Sequence, residues 1–136
     1  MNLTSSLITV LCLISSALFA QSNYGVKGLA IDSASQTKLD QATISIITAK
    51  DSVLQTFSYA DKGRFEINYL NPGSYILMIS YPDFADYVEH FVLDEKQPLK
   101  DFGTVNMILK SKLLKEVMIK ARMASIKMKG DTTEFN

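Results

Sequence analysis

The stretch Asp61–Tyr81, "DKGRFEINYLNPGSYILMISY", contains two extended runs and the turns that bound them. In Phe65-Glu66-Ile67-Asn68-Tyr69 apolar and polar residues alternate strictly, the period-two signature of a strand with one buried face. Tyr75–Tyr81 is the most apolar run of the chain. Before the first run, Asp61-Lys62-Gly63-Arg64 reads as a tight turn in which Gly63 takes a positive φ. Between the two, Leu70-Asn71-Pro72-Gly73-Ser74 reads as a Pro-Gly turn. Two short strands joined by turn chemistry argue for an all-β domain.

The pattern continues on both sides. Upstream, Tyr24–Ile31, Ala42–Thr48 and Val53–Tyr59 are extended runs separated by the polar clusters Asp32–Lys38 and Ala49–Ser52. Downstream, Tyr87–Leu93 and Gly103–Leu109 follow. Seven short runs at regular spacing, with no helical period between Tyr24 and Leu109, predict a seven-stranded Greek-key β-sandwich over residues 23–110. Ile44, Ile46, Phe65, Ile67, Leu77 and Ile79 are predicted to face its core. The Tyr and Phe residues at period two read most simply as core, with an exposed stacking platform for a glycan as the other reading.

The chain has 136 residues, room for one ordinary domain. Fourteen Lys and Arg balance fourteen Asp and Glu. This balance gives no global reason to bind nucleic acid or an anionic membrane. Residues 1–20 read as a secretory signal peptide. Leu3–Ala20 carries no charge, and its apolar core, Leu7–Phe19, is shorter than the ~20 residues of a membrane span. An uncleaved anchor is the other reading, since no Lys or Arg precedes the core. Cys12 is the only cysteine, so the exported domain forms no internal disulfide.

The chemistry of catalysis is thin. His90 is the only histidine and lies in phase with Val88 and Val92 in an alternating run. A general base needs an orienting partner and a pocket, and none is visible beside it. Asp32 and Asp61 lie in turns, where capping is their ordinary task. No serine has a His and Asp to activate it. A structural zinc site needs a His/Cys set that this sequence does not provide. Gly25-Val26-Lys27-Gly28 opens no helix and forms no phosphate loop. We therefore expect no catalytic residues, no cofactor and no metal.

The residues resemble a known family. "VKGLAIDSASQTKLDQATISI" (Val26–Ile46) is similar to the opening of the carboxypeptidase regulatory-like domain. Asp61, Gly63, Phe65, Leu70, Pro72, Gly73, Tyr75, Leu77 and Tyr81 match the motif of its centre. Ala60 stands where Thr is usual, and Pro82-Asp83-Phe84 replaces a Gly-Tyr corner. The resemblance implies a transthyretin-like sandwich, related to carbohydrate-binding sandwiches and without catalytic activity.

The tail extends the likeness. Leu114–Ala121, "LKEVMIKA", is similar to the segment that follows this domain in TonB-dependent outer-membrane receptors. Ile126–Asn136, "IKMKGDTTEFN", is similar to the start of their plug region. By this resemblance residues 111–125 form an extended linker and residues 126–136 a plug that breaks off, the rest of plug and barrel lying on the same polypeptide. A short protein with a solvated basic tail is the alternative.

The implied function is that of an accessory domain at the periplasmic side of the outer membrane, with a TonB-type energising protein as partner. Lys115, Glu116, Val117, Met118, Ile119, Lys120 and Ala121 would form its docking strand. Val117, Ile119 and Ala121 would share one face, with Met118 and Lys120 on the other. Lys120 and Lys115 depart from the usual Thr and acid. A plain connector is the other reading of the segment, and a secreted carbohydrate-binding module the other reading of the chain.

Overall fold

Each extended run becomes a strand because its apolar positions recur every second residue and its ends meet turn residues. The computed structural model describes residues 2–3 and 23–131. The strands are β1 (Tyr24–Asp32), β2 (Thr43–Thr48), β3 (Leu54–Tyr59), β4 (Arg64–Leu70), β5 (Gly73–Ser80), β6 (Tyr87–Leu93) and β7 (Leu99–Met107). A helix, α1 (Lys110–Asp131), follows. Residues 1, 4–22 and 132–136, which hold most of the stretch read as a signal peptide and the end of the stretch read as a plug, lie outside the described residues.

The strands form two sheets, ordered β4-β1-β7 and β3-β2-β5-β6. β5 returns to pair with β2 after the chain has crossed to the other sheet through β4, a Greek-key path wrapped around the sandwich. β1 pairs antiparallel with β4 and parallel with β7, so the first and last strands lie side by side. Between the sheets lie Val26, Ile44, Ile46, Leu77, Ile79, Leu93 and Met107, all nearly or fully buried. Phe65 and Ile67 are buried with them, so all six predicted core residues face inward.

Local chemistry sets the turns. Lys62 and Gly63 both take positive φ, 49° and 80°, as a type I′ turn requires. The amide of Asp61 donates to the Arg64 carbonyl at 2.8 Å, and the Arg64 amide donates back at 2.9 Å. Asp40 holds the turn from outside, its Oδ1 accepting from the Lys62 amide at 2.7 Å.

Two expectations need correction. β7 starts at Leu99, not at Gly103. Gly103, with φ of 61°, sits in a bulge inside the strand, where Phe102 and Gly103 oppose the single residue Gly28 of β1. The bulge lets parallel pairing continue through the polar residues Lys100 and Asp101. The tail is also helical where an extended linker was expected. Lys, Leu, Met, Ala and Arg favour helix, and Gly130 is the first breaker. Every residue from Lys110 to Ser125 is exposed, so local propensity rather than packing shapes this segment.

Candidate functional site

Two places invite a functional reading: the docking segment proposed from sequence, and a groove on the outer face of the three-stranded sheet. Lys115–Ala121 lies wholly within α1. Its side chains therefore do not alternate about an extended backbone. Val117, Met118 and Ile119 are each more than half exposed. α1 carries seven basic residues and two acidic ones, with no acid in its first turn to complement the helix dipole. The segment is exposed to solvent along its whole length, so a partner can reach it.

The groove encloses about 500 Å3. Lys27 of β1, Arg64 and Glu66 of β4 and Asp101 of β7 point outward into it, with Tyr59 of β3 and Asp61 at one rim. Its floor is low at Gly103, where a side chain would meet nothing within 4 Å; Gly28 instead faces the core, opposite the buried Phe65. A Cβ on Gly28 would lie 2.5 Å from Phe65 Cζ, so the Phe65 ring occupies the space that a side chain there would need. Lys27 Nζ stands 3.8 Å from Asp101 Oδ2, an exposed pair worth ~0–1 kcal/mol. The groove thus offers hydrogen-bonding groups of both charges around a small aromatic rim. Such a lining can hold a polar ligand.

The other residues considered from sequence take structural places. Asp32 Oδ2 accepts from the Ser35 hydroxyl at 2.7 Å and its Oδ1 from the Ala34 amide at 2.9 Å. These bonds hold its carboxyl below the usual carboxylate range. Asp61 serves the turn through its backbone. His90 is exposed on β6 opposite Ile76. Among the described residues no three His, Cys, Asp or Glu side chains are grouped to hold a metal ion.

The aromatics divide. Phe65, Tyr75, Phe84 and Phe91 are buried, whereas Phe57, Tyr59 and Tyr69 are exposed, against the simplest reading of the period. Phe57 and Tyr59 meet edge to face, with centroids 5.9 Å apart at 82°, and so form no flat platform. The groove itself had no local signal, because its charges come from three strands far apart in sequence.

With this geometry in hand, the chain can be set beside solved structures. It is similar to the TIE protein of Bacillus anthracis, at 18% identity and a TM-score of 0.50 over 64% of this chain and 17% of that one. The likeness is one of fold. The group B streptococcus pilus 2b backbone protein aligns at 16% identity and a TM-score of 0.49, over 66% of this chain and 42% of that one. A DUF3823 family protein from Bacteroides uniformis aligns at 11% identity and a TM-score of 0.49, over 62% and 43%. The chain spans less than half the length of each of these proteins. No protein-family model and no curated protein matches it.

Proposed function

We propose that this chain is the non-catalytic accessory domain of a TonB-dependent outer-membrane transport receptor, facing the periplasm. The observation that carries the reading is the order of three sequence likenesses. The sandwich motif of Asp61–Tyr81 comes first, then Leu114–Ala121, then Ile126–Asn136, as in those receptors. A seven-stranded sandwich is compatible with a binding role, though fold alone does not decide function.

On this reading, Lys115–Ala121 leaves its helix and adds as a strand to a TonB-type partner. Main-chain hydrogen bonds supply the affinity, and Val117 and Ile119 set the register. Both are β-branched and so fit a strand better than a helix. Among the described residues no helix is long and apolar enough to cross a membrane, which says nothing of a β-barrel.

A second reading rests on the groove. Lys27, Arg64, Glu66 and Asp101, with Tyr59 at the rim, provide the hydrogen-bonding groups that a secreted glycan-binding module would use. Cell fractionation with an antibody against the sandwich separates the two. A signal in the outer membrane, on a polypeptide much longer than 136 residues, is the expected result. A secreted species of the chain's own size would overturn the receptor reading in favour of the module.

A further inference from the structure

The two outer faces of the sandwich differ in charge. The face of the three-stranded sheet carries Lys27, Arg64, Glu66 and Asp101. The outward positions of the four-stranded sheet include no Asp, Glu, Lys or Arg at all. One cross-strand row, Phe57–Ser45–Met78–Val88, runs its full width. A second joins Leu54 and Ile47 to Ile76 and His90. Leu54, Phe57, Tyr59, Val88 and Val92 are each about half exposed. A sheet face open to water normally alternates polar residues outward, and a contiguous apolar patch of several hundred Å2 marks an interaction surface.

We infer that this face is the contact surface of a homodimer in which two copies stack their four-stranded sheets. Charge selects the occupant. A charge-free face gains nothing from a charged partner and must strip water from its charges, whereas its own copy brings none. The basic α1 is a poorer match for the same reason.

Shape agrees. Ser45 is small and nearly buried, and it lies between Phe57 and Met78 in the central row. The exposed Phe57 projects beside it, so a two-fold axis can bring the Phe57 of each copy onto the same row of the other.

Size sets the strength. Strand spacing of ~4.8 Å and a rise of ~3.3 Å per residue give a face on the order of 20 Å by 20 Å. Two such faces bury on the order of 800–1,000 Å2 in total, which places the dimer among weak, concentration-dependent associations.

Sedimentation equilibrium of the 136-residue chain tests this, alongside Phe57→Lys, Val88→Lys and the double variant, with Lys38→Glu as a control away from this face. All the substituted positions are exposed, and circular dichroism checks that each variant is folded. The expected result is a monomer–dimer equilibrium that each single lysine weakens at least about tenfold and that Lys38→Glu leaves unchanged. Raising salt from about 0.05 to 0.5 M should change the constant by less than about twofold, because no ion pair crosses the interface. A wild-type chain that stays monomeric at millimolar concentration would overturn the inference. So would association that survives in the folded double variant, which would place the contact on the apolar N-terminal segment or α1, or an association that salt dissolves.

Discussion

The hydroxyl of Tyr75 donates a hydrogen bond to the carbonyl of Asn71 at 2.8 Å, tying the start of β5 back to the turn that precedes it. The ring is buried and stacks on Phe91 of β6, with centroids 5.7 Å apart. The Leu-x-Pro-Gly-x-Tyr pattern therefore has a mechanical meaning. Leu70 is buried as the last residue of β4, Pro72 restricts the turn, and Tyr75 locks the crossing from one sheet to the other. Tyr75→Phe keeps the ring and removes the bond. It should cost ~0.5–1.5 kcal/mol, read as a lower urea midpoint at unchanged slope. An unchanged midpoint would show that the bond is idle.

Phe65 is the core residue whose loss the fold should feel most. Its ring covers Gly28 and lies 6.5 Å from Phe102 and within the buried cluster. Phe65→Ala should cost ~3–5 kcal/mol, because it removes a large buried surface and leaves a cavity between β1 and β4. A denaturant melt showing a change below about 0.5 kcal/mol would remove the ring from its central place in this account.

Gly63 should tolerate no side chain. Its φ is 80°, and a Cβ there would lie 2.6 Å from the Ala30 carbonyl oxygen, backbone that β1 holds in place. That oxygen also accepts from the Leu39 amide at 3.0 Å, so moving it disturbs a second contact. Gly63→Ala should destabilise by ~1–3 kcal/mol through the strain of the turn. Thermal melts check this. A melting temperature equal to that of the wild type would mean that the turn rearranges freely.

Tyr87 provides a pH signature. Partial burial, and then the hydrogen bond from its hydroxyl to Glu89 with the charge of that carboxylate, push its pKa up from 10.0 to about 12. The folded chain thus holds the phenol proton more tightly than the unfolded chain does. The stability from this contact is complete below pH 10 and is lost as the pH rises toward 12. Subtracting the ultraviolet titration of Tyr87→Phe from that of the wild type should show one phenolate appearing near pH 12. A difference curve centred at 10 would contradict the contact.

Much of the fold was legible because its strands are amphipathic. In Arg64–Asn68 the alternation of apolar and polar residues matches the alternation of buried and exposed ones, and it breaks at Tyr69, which is exposed. In β3 the alternation is present but its polar side faces inward, since Thr56 and Ser58 pair with the buried Ile46 and Ile44. Phe57 and Tyr59 look like core residues, yet they project from the outer face of β3. Gly103 carries the same signal for a turn and for a bulge, and only its pairing with β1 distinguishes them. Leu114–Ala121 is ambiguous in another way. Val117 and Ile119 suit a strand, while the surrounding Lys, Leu, Met and Ala suit a helix. With no partner strand beside it, the helix prevails. The groove was invisible locally because the parallel register of β1 and β7 brings Lys27 and Asp101 together from opposite ends of the sandwich.

The central claim is that Lys115–Ala121 docks on a TonB-type protein by changing from helix to strand. Isothermal calorimetry of the chain with a purified periplasmic TonB-type domain tests it most directly, with circular dichroism following the helix and Val117→Pro as the variant. Proline removes a main-chain donor needed for strand pairing, and the position lies outside the sandwich, so the core should stay folded. The account predicts saturable binding by the wild type, loss of helix signal on binding, and no binding by Val117→Pro. Equal affinity for both proteins, or binding by neither, would contradict it and leave Leu114–Ala121 a plain connector.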